Sequence, residues 1–250
     1  MEIKMIVVDL DGTFFRNNKT VSGYTYDIFM KCRQNGIKLA FATARSSNAQ
    51  IPIELFDGFI RSTGAAVYAY GVMIYDKSIP IQSARELLVA ADNAGIRIVA
   101  QTNERHCANY DLKQLTGYLD GEIIDFSTLD FKPQKIFALL ETPKAAEVLR
   151  DNLPDDLYMT ISHDGVAMIM HKEATKSKAT AALASYWGIN QSEIAAFGDD
   201  VIDADLLEYC GISVAMGNAI EEIKAMADYI CDTNENDGVA RWIEKHVLSV

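Results

Sequence analysis

Asp9 and Asp11 stand one residue apart at the end of the apolar run Met5-Ile6-Val7-Val8, and Gly12-Thr13 follows them. A run that is apolar at every position reads as a parallel strand covered on both faces. Alternate residues of an extended chain point the same way, so the two carboxylates are expected side by side at the strand's carboxyl end. In open α/β sheets that end is where ligands bind. Acids that close repel unless a cation neutralises them or one keeps a proton. The pair could therefore hold a metal ion or divide acid and base roles. Two plainer readings compete. Asp11-Gly12 is also a hairpin turn signal, with Thr13-Phe14-Phe15 as a return strand. Asp-x-Asp-Gly also opens calcium loops, but the third ligand before the glycine and the later glutamate are missing here.

Further segments bring chemistry to the ends of predicted elements. Residues 37–43 read as a strand ending at Thr43, whose hydroxyl and N–H at a helix start would make an anion site. Lys176 opens a predicted helix and offers positive charge to anionic oxygens, with Lys178 as its rival. Ile194–Gly198 reads as a strand with Asp199 and Asp200 at its end, and Asp203 starts the next helix. Each has an ordinary alternative: Thr43 as a helix N-cap, Lys176 as a solvated lysine, and the acids as caps, Asp200 foremost.

The elements that must position these groups follow an order. Ser22 is the predicted N-cap of a helix over residues 23–34, closed by Asn35-Gly36. A helix rich in Ser and Asn follows Thr43, residues 58–60 form a short strand, and residues 66–79 form a hairpin turning at Gly71. The pattern then changes. A helix over 84–95 precedes strands over 96–101, 135–140, 158–163 and 166–171, with a helix over 143–152 and a hairpin turn at Asp164-Gly165. From Thr175 helices (177–187, from 203, 238–245) alternate with strands (194–198, 212–215, 229–231). The flanks predict an α/β fold, a doubly wound Rossmann-like parallel-sheet core over residues 1–80 and 174–250 with right-handed crossovers. Residues 81–173 are expected to be an inserted α+β cap domain that roofs the acid-bearing strand ends.

The chain has 250 residues, 49% hydrophobic and 23% charged, which supports a sizeable core. Its net charge of -12, from 23 basic and 35 acidic residues, disfavours nucleic acid and anionic membrane as partners. A site handling phosphate on such a chain needs local cations. Cys32, Cys107, Cys210 and Cys231 are too far apart for a zinc site or a disulfide framework and read as free thiols in a reducing compartment. The amino terminus leaves no room for a signal peptide and no apolar run is long enough to span a bilayer, so a cytoplasmic protein is expected.

Taken in order, Asp9-Leu10-Asp11-Gly12-Thr13, Ala42-Thr43-Ala44-Arg45, Lys176 and Gly198-Asp199-x-x-x-Asp203 resemble the four motifs of the haloacid dehalogenase-like hydrolase superfamily. The insertion resembles the large cap of its Cof-type sugar-phosphate phosphatases. Ala215-Met216-Gly217-Asn218-Ala219 and Asn236-Asp237-Gly238-Val239-Ala240 match that subfamily's carboxyl-terminal segments. The resemblance implies Asp9 as nucleophile through an aspartyl-phosphate, with Asp11 as general acid and then base, kept protonated at first by nearby negative charge. It implies Mg²⁺ held by Asp9, Asp199 and the Asp11 carbonyl, and Asp203 acting through water or by holding Lys176. Lys176 and Thr43 are implied as catalytic groups on the phosphate, and Thr43, Ala44, Arg45, Lys176 and Asn218 as substrate-binding. The implied partner is a small phosphorylated metabolite, with the chain a monomer or weak homodimer.

The chain departs from the family where Ala44 and Ser177 replace Gly, and where Thr63 and Ile202 replace Asn. A phosphomannomutase-like phosphomutase is the alternative enzyme, but it needs a basic cap, and the cap's basic residues are sparse among acids. A catalytically weak phospho-ligand binding module is the non-enzymatic alternative, and it would show loss of Asp9, Asp11 or Lys176. His106, His163, His171 and His246 are scattered without metal-ligand spacing; His163 and Asp164 alone are candidates to reach the site from the cap.

Overall fold

The structure, a computed structural model, describes residues 2–45, 51–116, 120–161 and 165–248. The start of the helix expected after Thr43, and His163 and Asp164 of the expected second hairpin, lie outside the described residues. In chain order the elements begin with β1 (Met5–Val8), α1 (Gly23–Gln34), β2 (Lys38–Ala42), β3 (Gly58–Arg61), β4 (Ala66–Ala69) and β5 (Val72–Asp76). Then come α2 (Ile81–Asn93), β6 (Ile98–Gln101), β7 (His106–Ala108), α3 (Leu112–Thr116), β8 (Glu122–Ile123), β9 (Lys135–Leu139), α4 (Pro143–Asp151), β10 (Leu157–Ile161) and β11 (Val166–His171). The chain ends with α5 (Lys176–Trp187), β12 (Ile194–Gly198), α6 (Ala204–Tyr209), β13 (Ile212–Ala215), α7 (Glu221–Met226), β14 (Tyr229–Ile230) and α8 (Gly238–Ile243).

These elements form two compact units, residues 1–76 with 175–250, and residues 77–174. The first holds an eight-stranded sheet ordered β14-β13-β12-β1-β2-β3-β4-β5. Its first six strands in that order run parallel, and β4 and β5 fold back antiparallel as the expected hairpin. All four residues of β1 are fully buried, as its unbroken apolar run requires. Strand order reverses between β1 and β12, the switch point at which an open α/β sheet leaves a crevice beyond its strand ends. Val8 pairs with Phe197 there, so Asp9 and Asp199 emerge beside one another.

Local signals in the sequence fix the helices. The Ser22 hydroxyl accepts from the Thr25 N–H at 3.0 Å and starts α1. Thr175 caps α5 in the same way, and Gly188 ends it in the left-handed region.

The second unit carries a six-stranded sheet ordered β10-β11-β9-β6-β7-β8, antiparallel except between β7 and β8. Leu87 and Leu88 of α2 and Leu149 of α4 bury against Ile98, Ile136, Ala138 and Ile169 on one face, giving this unit its own core. α2 starts three residues earlier than the sequence predicts, because Pro80 serves as its N-cap without a side-chain signal. β7, α3, β8 and α7 are additions that the sequence pattern did not predict. They have two to six residues each, too short to show a period.

Candidate active site

Asp9 follows β1 directly, and its N–H still pairs with the Phe197 carbonyl at 3.0 Å. The chain then turns: the N–H groups of Phe14 and Phe15 reach back to the carbonyls of Asp9 and Leu10. The alternation expected for Asp9 and Asp11 therefore fails, because the chain is not extended between them. Asp9 is 5% exposed and lies with Asp199 and Asp203 in one acidic group whose ligand atoms are all within 4.8 Å of one another. The Asp11 carboxylate lies elsewhere. It takes two hydrogen bonds from Arg45, Nε to Oδ2 at 2.7 Å and Nη2 to Oδ1 at 2.5 Å, and one from Lys19 Nζ at 2.7 Å.

Lys176 is fully buried at the start of α5, and its ammonium donates to Asp9 Oδ1 at 2.6 Å and Asp203 Oδ1 at 2.5 Å. Lys178 is exposed, which removes it as the rival. The other oxygen of Asp203 accepts the N–H groups of Asp199 and Asp200 at 3.0 and 3.2 Å. Asp203 thus holds Lys176 and the backbone of its own turn. Asp200 caps that turn, accepting from the Val201 N–H at 2.6 Å. Asp199 is steadied by the Thr13 hydroxyl at 2.7 Å. Gly12 (φ 87°) and Gly198 are needed for these approaches. A Cβ on Gly12 would stand 2.2 Å from Asp199 Oδ2, and one on Gly198 2.5 Å from the Asp203 Cβ.

Burial, with Asp203 and Asp199 close by, pushes the Asp9 carboxyl up to about 8 against the pull of Lys176. Burial likewise raises Asp199 to about 6. Burial alone would lower Lys176, but Asp203 and Asp9 outweigh it and keep the ammonium charged. Three carboxyl groups share one ammonium in a desolvated place, and all the donors are hard oxygens. That donor set fits a divalent cation of the Mg²⁺ kind, held by Asp9 and Asp199. Asp11 goes the other way. Burial tends to raise it, but Arg45 and Lys19 hold it below the usual carboxylate range. The expectation that negative neighbours would keep Asp11 protonated is corrected: the charges touching it are positive.

Two substrate-binding expectations also change. The Thr43 N–H is spent on the Ile60 carbonyl at 2.9 Å, and its buried hydroxyl accepts from the Arg45 N–H at 3.1 Å. Asn218 is used internally: its Nδ2 donates to the Gly12 carbonyl at 2.8 Å and its Oδ1 accepts from the Asn234 N–H at 2.9 Å. Ala44 is half-buried between Thr43 and Arg45. Arg45 does reach the site through Asp11, and its guanidinium also lies over the Phe15 ring at 5.3 Å. Sequence reasoning missed Lys19 and Thr13. The Asn17-Asn18-Lys19 turn was the available signal for Lys19, since such residues favour tight turns.

No helix among the described residues is long and apolar enough to cross a membrane. Residues 6–243 match the family of haloacid dehalogenase-like hydrolases. The chain is 27% identical to 5-amino-6-(5-phospho-D-ribitylamino)uracil phosphatase YitU of Bacillus subtilis, covering 98% of this chain and 99% of that one. It superposes with a TM-score of 0.86 on a phosphatase of the haloalkanoate enzyme superfamily from Bacteroides thetaiotaomicron, at 27% identity over 98% of this chain and 95% of that one. A subclass IIB sugar phosphatase shares the fold, with a TM-score of 0.82 and 21% identity over 97% of this chain and 98% of that one. With its motifs in place and nearly its whole length matched, the chain belongs to the haloacid dehalogenase-like hydrolases, in their Cof-type branch, and is an enzyme of the phosphatase class.

Proposed function

We propose that this enzyme hydrolyses small phosphorylated metabolites, sugar phosphates foremost, with Mg²⁺ and through an aspartyl-phosphate on Asp9. The observation that carries this is the buried Asp9–Lys176–Asp203 chain beside Asp199: a near-buried nucleophile, a fixed cation, and acids able to hold a second one. A divalent cation bound there supplies positive charge against both the Asp9 carboxylate and the phosphate.

The chain's own residues do the rest. An Asp9 oxygen attacks phosphorus, and the bond from phosphorus to the leaving oxygen breaks. Asp11 gives that oxygen a proton. Water then attacks the phosphorus of the acyl phosphate, Asp11 takes its proton, and Asp9 leaves as a carboxylate with phosphate released. Lys176 keeps Asp9 aligned and opposes the negative charge that accumulates on the phosphate. Arg45 and Lys19 favour the ionised form of Asp11, so its acid role is served when both cations exchange it for phosphate oxygens. The inserted unit serves as the specificity domain for the leaving group.

Phosphate release across a panel of phosphorylated metabolites is the test. Activity should need Mg²⁺, vanish with excess chelator, and be lost in Asp9→Asn while the fold is kept. Turnover near wild type in Asp9→Asn would refute the covalent route, and full activity in chelator would refute the metal.

A further inference from the structure

Asn218 and residues 234–237 hold no group in the acidic cluster, yet they are tied to the loop that follows Asp9. Asn234 is 5% exposed. Its Nδ2 donates to the Phe15 carbonyl at 2.9 Å and to Asn17 Oδ1 at 3.1 Å. Its N–H donates to Asn218, whose own amide holds the Gly12 carbonyl. Glu235 Oε1 accepts the Asn17 N–H at 2.7 Å. Asp237 takes both contacts from Arg16 Nη2, at 3.1 and 2.9 Å. Residues 15, 16 and 17 are thereby fastened by residues 234–237, and residue 12 by Asn218, all more than two hundred positions away in sequence.

What this loop carries is Lys19. The Lys19 N–H bonds to the Arg16 carbonyl at 2.8 Å and the Arg16 N–H to the Thr20 carbonyl at 3.0 Å, closing a turn in which Lys19 has φ 64°. A lysine in that backbone region is placed there by its surroundings, since side chains with a Cβ rarely adopt it unaided. The side chain is 46% exposed, and its ammonium reaches Asp11 Oδ1. The backbone that carries that ammonium is therefore closed on Arg16, and Arg16 with both its neighbours is held from residues 234–237.

We propose that Asn234 is a positioning residue of this enzyme. It anchors the loop over residues 12–20 so that the Lys19 ammonium stays beside Asp11, within reach of the phosphate ester for whose oxygens it exchanges that carboxylate. The proposal rests on the phosphatase reading only for its kinetic arm. The chemistry asks for an amide at position 234. Two acceptors, the Phe15 carbonyl and Asn17 Oδ1, face the same nitrogen, and a carboxylate there would repel both.

The test is a double-mutant cycle on kcat/KM, with the best metabolite of the panel and Mg²⁺. Lys19→Ala and Asn234→Ala should each lose about 10- to 100-fold, the scale on which misplacing a group by about 1 Å acts. The double variant should be no worse than about 3-fold below Lys19→Ala, because both changes act through the same Lys19 ammonium. Multiplying losses would overturn the proposal, as would wild-type kcat/KM in Asn234→Ala. Asn234→Asp should behave like Asn234→Ala.

Amide hydrogen exchange gives a readout independent of activity. Residues 12–20 should exchange faster in Asn234→Ala while β1 and β12 keep their protection; unchanged exchange in the loop would equally overturn it. Should Asn234→Ala fail to fold, Glu235→Ala on the exposed side of the same turn weakens one contact. It should give a smaller loss that likewise disappears in the Lys19→Ala background. If wild type releases phosphate from no metabolite, the phosphatase reading fails, and the exchange measurement still decides the clamp.

Discussion

Replacing Thr63 should stabilise the protein. Thr63 sits at φ 56° and ψ 27°, the left-handed helical region, between Ser62 at φ 48° and Gly64 at φ 106°. Its N–H bonds to the Thr43 carbonyl at 3.0 Å and the residue is 9% exposed, so the backbone cannot relax away. A side chain with a Cβ is penalised there by about 1–2 kcal/mol, and Thr, being β-branched, is at the upper end. Asn tolerates the region because its short polar side chain bonds locally. Thr63→Asn should recover about 1 kcal/mol, and Thr63→Gly a little less after the entropy glycine adds to the unfolded chain. For a protein of about this size, that is a rise of about 2–4 °C in melting temperature. Calorimetry on the full chain measures it. Thr63→Val keeps the branched Cβ and should gain nothing, which separates backbone relief from any effect of the hydroxyl. Should Asn and Gly melt no higher than Val, the strain is not stored at Thr63 and the reasoning fails.

Further outcomes follow from the same geometry. Lys176→Met leaves Asp9 and Asp203 buried without their cation. It should lower stability by about 3–5 kcal/mol and turnover by at least about 10²-fold, read by urea unfolding and phosphate release. Burial holds Lys135 down at about 8, below its ordinary 10.5, so between those values the unfolded chain binds the extra proton. Stability should therefore climb as pH rises through that window, and Lys135→Met should flatten the climb in urea midpoints taken across it. Replacing residues 81–173 by a short linker should leave a folded first unit, since each unit buries its own core. An unchanged ratio of kcat/KM between the best metabolite and an aryl phosphate would then show that the insertion does not select substrates.

What the sequence made legible is tied to strong local signals. The continuous apolar run of β1 and the Ser22 cap each have one physical solution, and each appears as expected. The acids at strand ends were legible for the same reason, since strand order alone brings Asp9 and Asp199 together. The split between Asp9 and Asp11 was not, because it depends on a turn whose bonds run from Phe14 and Phe15 back to Asp9 and Leu10. Lys19 was hidden because a solvated lysine in a polar loop looks like any other. Its meaning comes from Asp11, Arg16 and the distant residues 234–237. Asn218 showed its amide in a motif, but only three dimensions reveal that Gly12 and Asn234 already use it.

The opposite environments of the two neighbouring acids bear on how the proposed reaction is gated. Asp9 must be ionised to attack, yet burial among acids raises it. Asp11 must carry a proton to give, yet Arg45 and Lys19 lower it. Environments that push two acids apart normally mark their roles; here each is pushed away from its role. A divalent cation against Asp9 and Asp199 favours the carboxylate, and a phosphate ester drawing Arg45 and Lys19 to its oxygens releases Asp11 to take up a proton. Each correction comes with its own ligand, the cation for Asp9 and the phosphate for Asp11. In the proposed reaction the two acids therefore hold their working charge states at the same time only when cation and phosphate are both in place.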